Sequence, residues 1–272
     1  TDPAPTTSTD PAPTTSTDPA PTTSTEAREV TDEESTATLD MSSLNLDSID
    51  QNTTSLTLKN LNDASRLTDE FKTKLRSLAH LETITLEGEF NTEPFKKLIR
   101  LIPPSCTRLV YSQRLVDGVE SFLKEQLNTR SQFILEYFIP RTSRTPRMRT
   151  LDFYGTNITG IPSGYDITNT LGISIYGNIE SVLDWSAITC PVLLTKASQM
   201  TKIKAKNISL QNSLTQNATS EQYSTLIENM NAAGTQQLEI LGGVPTGVEV
   251  TPRNYMTTQI LKFHIRQIKV GD

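Results

Sequence analysis

The chain has 272 residues, a hydrophobic fraction of 35% and a formal net charge of -6. That charge is divided: residues 1–50 hold eleven acids and one base, Arg28, whereas residues 51–272 hold 20 acids and 24 bases. A body so mildly basic argues against a nucleic-acid partner, and no apolar run nears the ~20 residues that cross a bilayer, so membrane insertion is not expected.

Residues 1–25 carry three copies of the octapeptide TDPAPTTS, starting at Thr1, Thr9 and Thr17. Two prolines per copy block helices and sheet ladders, and no large apolar side chain is there to bury. A disordered or polyproline-like tail is expected, read as an O-glycosylated stalk or as a plain spacer. The acids continue through EAREVTDEES, and the ordered domain is expected from residue 39 to 272, after a tail of residues 1–38. The chain begins at Thr1 without a signal-peptide pattern, which reads as a processed or excised chain.

A block pattern then sets in. Leu56 and Leu58 alternate in a short strand, and Leu67, Phe71, Leu75 and Leu78 recur at helical spacing. Ile84 and Leu86 form the next strand, followed by a helix over Glu93–Ile102 that Pro103 and Pro104 stop. Leu109 and Tyr111 mark a third strand, and Val116, Val119, Leu123 and Leu127 a third helix. FILEYF, residues 133–138, is a strand whose inward face the alternation does not settle. After the arginine-rich loop, a candidate seam near 140–148, the blocks shorten: Leu151 and Phe153, then Ile173 and Ile175, then Ile203 and Ala205. A helix is expected around Ser220–Met230 with Ser220 as its cap, then a strand at Leu238 and Ile240, and a last strand within Ile260–Val270.

A strand, a turn and an apolar return, recurring along a chain, is the unit of a repeat protein. Leu81, Ile84 and Leu86, and again Met148, Leu151 and Phe153, fit the first three apolar positions of L-x-x-L-x-L-x-x-N-x-L, with Ile158 on the last position and Asn178 on an asparagine position. On these residues the chain resembles the leucine-rich repeat family over roughly residues 54–270. Elsewhere the asparagine position is Glu89, Arg114, Thr156, Ile208 and Gly243. The resemblance implies an irregular α/β solenoid with a curved parallel sheet. The competing reading is an α/β domain with a parallel sheet built from βα units.

In such a solenoid the residues between the core positions line the concave face. That set includes Thr85, Glu87, Val110 and Ser112, then Asp152, Tyr154, Ser174 and Tyr176, then Lys204 and Lys206, and at the end Lys262, His264 and Arg266. Exposed aromatics beside positive charge suit an interaction surface, so a protein or an anionic glycan is the expected partner of the concave face from Tyr154 to Arg266, with Asp152 beside it.

No catalytic pattern emerges. His80 and His264 stand outside any nucleophile–base or metal motif, Cys106 and Cys190 are isolated, and no glycine-rich phosphate loop is present. No enzyme activity, cofactor or metal is expected. Arg141, Arg144, Arg147 and Arg149 read as a solvated loop. Of four N-x-S/T sequons, Asn157 and Asn217 fall in predicted turns and are the glycosylation candidates. The sequence therefore reads as a non-enzymatic interaction protein, extracellular or at a cell surface, with an intracellular adaptor or effector and an α/β enzyme as alternatives.

Overall fold

The structure, a computed structural model, describes residues 35–88, 90–139, 148–215 and 217–240. The octapeptide tail, Arg141, Arg144 and Arg147, and the expected last strand with Lys262, His264 and Arg266 lie outside the described residues.

In chain order, the first half runs β1 (Thr36–Asp40), β2 (Ser55–Lys59), α1 (Asp69–Ser77), β3 (Thr83–Glu87), α2 (Thr92–Leu101), β4 (Arg108–Tyr111), α3 (Glu120–Leu127) and β5 (Phe133–Ile139). The second half runs β6 (Met148–Tyr154), β7 (Thr170–Ile175), β8 (Leu183–Trp185), β9 (Val192–Leu194), β10 (Ile203–Ala205), β11 (Asn207–Leu210), α4 (Asn212–Thr215), α5 (Ser220–Ala233) and β12 (Gln237–Ile240). Ten of the strands make one sheet in the order β1-β2-β3-β4-β5-β6-β7-β9-β11-β12, and β8 and β10 pair separately. This is an α/β fold on a large, mostly parallel sheet. Every neighbouring pair is parallel except β5–β6, which is antiparallel.

Local sequence accounts for most of these elements. Thr68 caps α1, its hydroxyl accepting from Phe71 N at 3.2 Å, and Asp69 and Glu70 sit where the helix dipole favours acids. The third helix is shorter than its apolar spacing suggests, because Gly118 takes a φ of +77° and α3 starts only at Glu120. The cap of α5 is Thr219 rather than Ser220: Thr219 and Gln222 form a reciprocal capping box, and Gly234 ends the helix at φ +62°. The ordered chain reaches back further than residue 39. Thr36–Asp40 pairs in parallel with β2, and Ser35 O accepts from Thr54 N and Ser55 N. With Leu39 as its one large apolar residue, TATLD gives too little alternation to be read as a strand.

The reversal at β5–β6 falls beside the expected seam and divides the molecule. In β1–β5, Leu56, Leu58, Ile84, Leu86, Leu109, Tyr111, Phe133 and Leu135 face one side of the sheet and pack with Phe71, Leu75, Phe95, Leu98, Leu123 and Leu127 of α1–α3. In the second half the core lies on the opposite side. Leu151 and Phe153, then Ile173 and Ile175, Val192 and Leu194, and Ile208 and Leu210, pack with Trp185, Met200, Ile203, Tyr223, Leu226 and Met230. Here the β8–β10 pair and α5 form the covering layer, and the Phe153 and Trp185 rings meet at 5.6 Å.

The switch of sides has a geometric cause. The strand order advances in one direction throughout, while the strand direction reverses at β6. Turning a unit over about the axis of advance reverses its strand and moves its crossover to the other face without changing the hand. Crossovers of one hand in both halves therefore require cores on opposite faces, and the right hand is the one a twisted parallel sheet favours.

Backbones come very close where β6 and β7 end. A Cβ on Gly155, at φ +130°, would lie 2.2 Å from Ser131 O, and one on Gly177 would lie 2.3 Å from Gly155 O. Gly164, at φ +76°, has open space around it. Denaturant unfolding should show Gly177→Ala losing about 3 kcal/mol or more, from displaced backbone, against about 1 kcal/mol for Gly164→Ala, which meets only the left-handed conformation. Equal losses would place the constraint elsewhere.

Candidate functional site

At the seam both faces of the sheet are covered, and each carries a buried carboxylate. Glu136 on β5 and Asp152 on β6 are each 2% exposed. They point to opposite faces, because the register pairs Glu136 with Leu151 and Leu135 with Asp152. These two clusters are the chemically distinctive places in the described residues.

Glu136 is fully engaged. Arg108 Nη2 on β4 lies 2.8 Å from Oε2, Arg149 Nη1 on β6 lies 3.3 Å from Oε1, and the Tyr165 hydroxyl donates to Oε2 at 2.6 Å. The Arg108 guanidinium also sits 4.5 Å from the centre of the Tyr165 ring. Arg149 ties in the 155–170 connection by donating to the carbonyls of Asp166 and Thr168. Burial would raise the Glu136 pKa, but the hydrogen bonds from Tyr165 and Arg108 and the two guanidinium charges outweigh it and hold the pKa down. The cluster clamps the first connection of the second half onto the last strands of the first. It is a docking element and presents no open acid or base.

Asp152 is engaged far less. Its Oδ1 is buried without a hydrogen-bond partner. Burial pushes its carboxyl up to about 7, with Glu120 adding to the rise and hydrogen bonds from Ser174 and Tyr154 and the charge of Lys124 opposing it. The hydroxyls around it are displaced too: burial lifts Tyr176 to about 12 and Tyr137 and Tyr154 higher. Tyr154 and Tyr176 stack, with centroids 5.2 Å apart and planes 18° from parallel. Lys124 Nζ lies 4.6 Å from the centre of the Tyr176 ring.

The expected partner surface is therefore placed differently. Asp152 and Tyr154 are buried, at 2% and 1% exposure, and Tyr176 is half-buried against them. They close the end of the first core, beneath α3 and its cap. Lys204 and Lys206 do not join them. Lys204 lies on β10 in the two-stranded sheet, opposite Asp184, and Lys206 follows it in the bend before β11. The main-sheet strand of that unit is Asn207–Leu210, one strand later than Ile203 and Ala205 suggest. Lys262, His264 and Arg266 are outside the described residues. The structure thus brings together Asp152, Tyr154 and Tyr176, and sets Lys204 and Lys206 apart.

Asn157 is half-buried with Oδ1 enclosed and unpartnered, whereas Asn217 is exposed with Nδ2 donating to Ser213 O at 2.8 Å. Arg149 is part of the Glu136 clamp, not a solvated loop residue. His80 is exposed in a turn. Cys106 is free and buried, its thiol raised by burial to about 11, and Cys190 is free and half-buried. Among the described residues no three His, Cys, Asp or Glu side chains gather as metal ligands, and no helix is long and apolar enough to cross a membrane. Two members of the Glu136 cluster, Arg108 and Tyr165, escaped sequence reading. The available signal was Glu136 itself, a lone acid inside the apolar run FILEYFI, which demands a buried cation.

Removing the clamp carboxylate leaves two arginines facing each other without it. Glu136→Ala should cost about 3–5 kcal/mol in denaturant unfolding at pH 7. Tyr165→Phe, which removes one hydrogen bond to a charged group, should cost about 1.5–3 kcal/mol. Because the folded pKa of Glu136 is lowered, its contribution is present above the unfolded value and fades as pH falls through the folded one. The deficit of Glu136→Gln should accordingly shrink below about pH 4; a deficit constant down to pH 2.5 would contradict the charge-based account. No protein-family model matches the chain, and no curated protein or solved structure matches it.

Proposed function

We propose that this chain is a non-enzymatic interaction protein, a divergent leucine-rich-repeat-like solenoid that meets a protein partner on the helix-free face of its sheet. One observation carries the reading. Helices α1–α3 cover one face of β1–β4, and none of the described helices lies on the other.

The uncovered face is built of short polar side chains in register. Thr36, Ser55 and Thr83 form one row with Arg108, and Thr38, Thr57 and Thr85 form the next with Val110. All are exposed or half-exposed. Asp40, Lys59 and Glu87 make a third row, in which Lys59 Nζ and Glu87 Oε2 lie 3.0 Å apart. Strands fix the backbone beneath these groups, and threonines have few rotamers to lose, so covering them costs little conformational entropy. The Arg108–Tyr165–Glu136 clamp walls this face at the seam. Thr85, Glu87, Val110 and Ser112, expected outward from period-2 spacing, belong to it. The Thr/Pro-rich residues 1–25 suit a stalk for a domain that works outside the cell or at its surface; hexose on their threonines in native material is the corresponding chemical mark.

A photo-reactive phenylalanine derivative placed at Thr57 or Thr85 in the full chain, expressed in its native host, should cross-link one discrete protein. The same probe at the exposed helix positions Arg76 and Glu125 should not. Thr57→Arg should then weaken binding of that purified protein about tenfold or more, the loss of about 1.4 kcal/mol expected from a clash or a desolvated charge in a covered face. Cross-links confined to the helix positions, or an unchanged affinity of Thr57→Arg, would sink the reading.

A further inference from the structure

The interaction surface on β1–β4 makes no use of Asp152, and a buried carboxyl with an orphan oxygen is an unstable arrangement unless its proton is part of the design. The groups that face it come from three sides. Glu120 and Lys124 come from α3, Tyr137 from β5, and Tyr154, Ser174 and Tyr176 from β6, β7 and the residue that follows β7. Glu120, Lys124 and Asn128 are spaced i, i+4 and i+8, so they line one face of α3 and its C-terminal cap.

That face adds side-chain contacts to a closure that the chain just beyond it also ties through the backbone, with Thr156 N donating to Arg130 O at 2.8 Å and Asn157 N to Ser131 O at 2.9 Å. Asn128 Oδ1 accepts from Gly155 N at 2.9 Å, and Asn128 Nδ2 donates to Tyr176 O at 3.3 Å. Lys124 caps the Tyr176 ring instead of pairing with the carboxyl. The lid over Asp152 is therefore the polar stripe of a helix whose apolar side, Leu123 and Leu127, is set in the first core; over the carboxyl itself its side-chain ties are the Asn128 amide and the Lys124 cation–π contact. Beneath it, an ionised carboxylate would have lost its water without gaining a full set of donors.

We propose that Asp152 is a proton-operated latch between the two halves of the sheet: with its proton it lets the end of α3 close over the stacked Tyr154–Tyr176 pair, and without it the closure loosens and bares the pair. This goes beyond the proposed partner surface and is tested without any partner.

The direction with pH follows from linkage. In the closed state the carboxyl keeps its proton up to about 7, whereas an open, solvated aspartate releases it near 3.9. Between those values opening releases a proton, so the open fraction grows about tenfold per pH unit, and above about 7 both states are ionised and the growth stops.

Hydrogen exchange of the full chain between pH 5 and 8.5, corrected for the intrinsic pH dependence of exchange, reads this directly. Amides of residues 120–128 and 150–156 should open about tenfold more at pH 6 than at pH 5 and level off above pH 7. Asp152→Asn should abolish the slope. Glu120→Gln, an exposed substitution that leaves the packing intact, should bring the levelling to lower pH by removing a like charge, and Lys124→Met should move it to higher pH. A slope that survives in Asp152→Asn, or a levelling point that Glu120→Gln leaves unmoved, overturns the latch.

Discussion

The antiparallel pairing of β5 with β6 is the constraint from which the rest of the architecture follows. Parallel units that advance along a sheet can reverse their strands and keep one crossover hand only by moving their crossovers to the other face. The chain does so, and the consequence is concentrated on two strands. β5 and β6 have cores on both sides, Phe133, Leu135 and Tyr154 on one and Ile134, Leu151 and Phe153 on the other. Away from them, among the described residues, α1–α3 cover one side of β1–β4, and α5 with the β8–β10 pair covers the opposite side of the later strands. The two cores thus lie on opposite faces of the sheet and overlap in a dry centre.

That centre is where polar side chains become expensive. In β1–β4, residues between the core positions meet water, and a threonine or lysine there is unremarkable. At β5 and β6 the same alternate positions are sealed by the covering layer of the other half. Glu136 and Asp152 answer this differently. Glu136 recruits two guanidinium groups and a phenol, which satisfy both oxygens and dock the 155–170 connection. Asp152 has hydroxyl neighbours and a lysine that is engaged elsewhere, and one of its oxygens stays empty. A satisfied ionic cluster fixes an arrangement, whereas an unsatisfied one makes the arrangement depend on a proton.

Much of the secondary structure could be read from the residues because it rests on local physics. Period-2 runs at Leu56, Ile84 and Leu109, helical spacing from Leu67 to Leu78, and the proline stop after Ile102 each act within a few residues. The large parallel sheet also followed from alternating strand and helix patterns. The placement of Asp152 and Tyr154 did not, for a definite reason. Alternation says that Asp152 and Leu151 lie on opposite faces, but it is silent on whether the second face is covered, and here coverage depends on α3, some 30 residues earlier in the chain. Lys204 was misplaced by a similar ambiguity. Ile203–Ala205 and Asn207–Leu210 are both short alternating runs, and only pairing partners show that the first belongs with β8 and the second with the main sheet. Glu136 was the exception that sequence could have flagged, since an acid flanked by Leu135 and Tyr137 within an apolar strand requires a partner wherever it is buried.

The two carboxylates also differ in what they ask of the solvent, and the difference orders their roles. Glu136 strengthens the junction most when charged, so acid weakens it. Asp152 suits the junction best when neutral, so base weakens it. The groups lie one strand apart on opposite faces of the same dry centre, and together they set a window of pH within which both faces of the seam are content. The upper edge of that window falls near neutrality, because burial of Asp152 outweighs the hydroxyls and the lysine around it. An aspartate less buried, or one paired with Lys124 as Glu136 is paired with Arg108, would remove that edge. The seam would then be a hinge locked at every physiological pH, and the stacked tyrosines beneath α3 would be ordinary core.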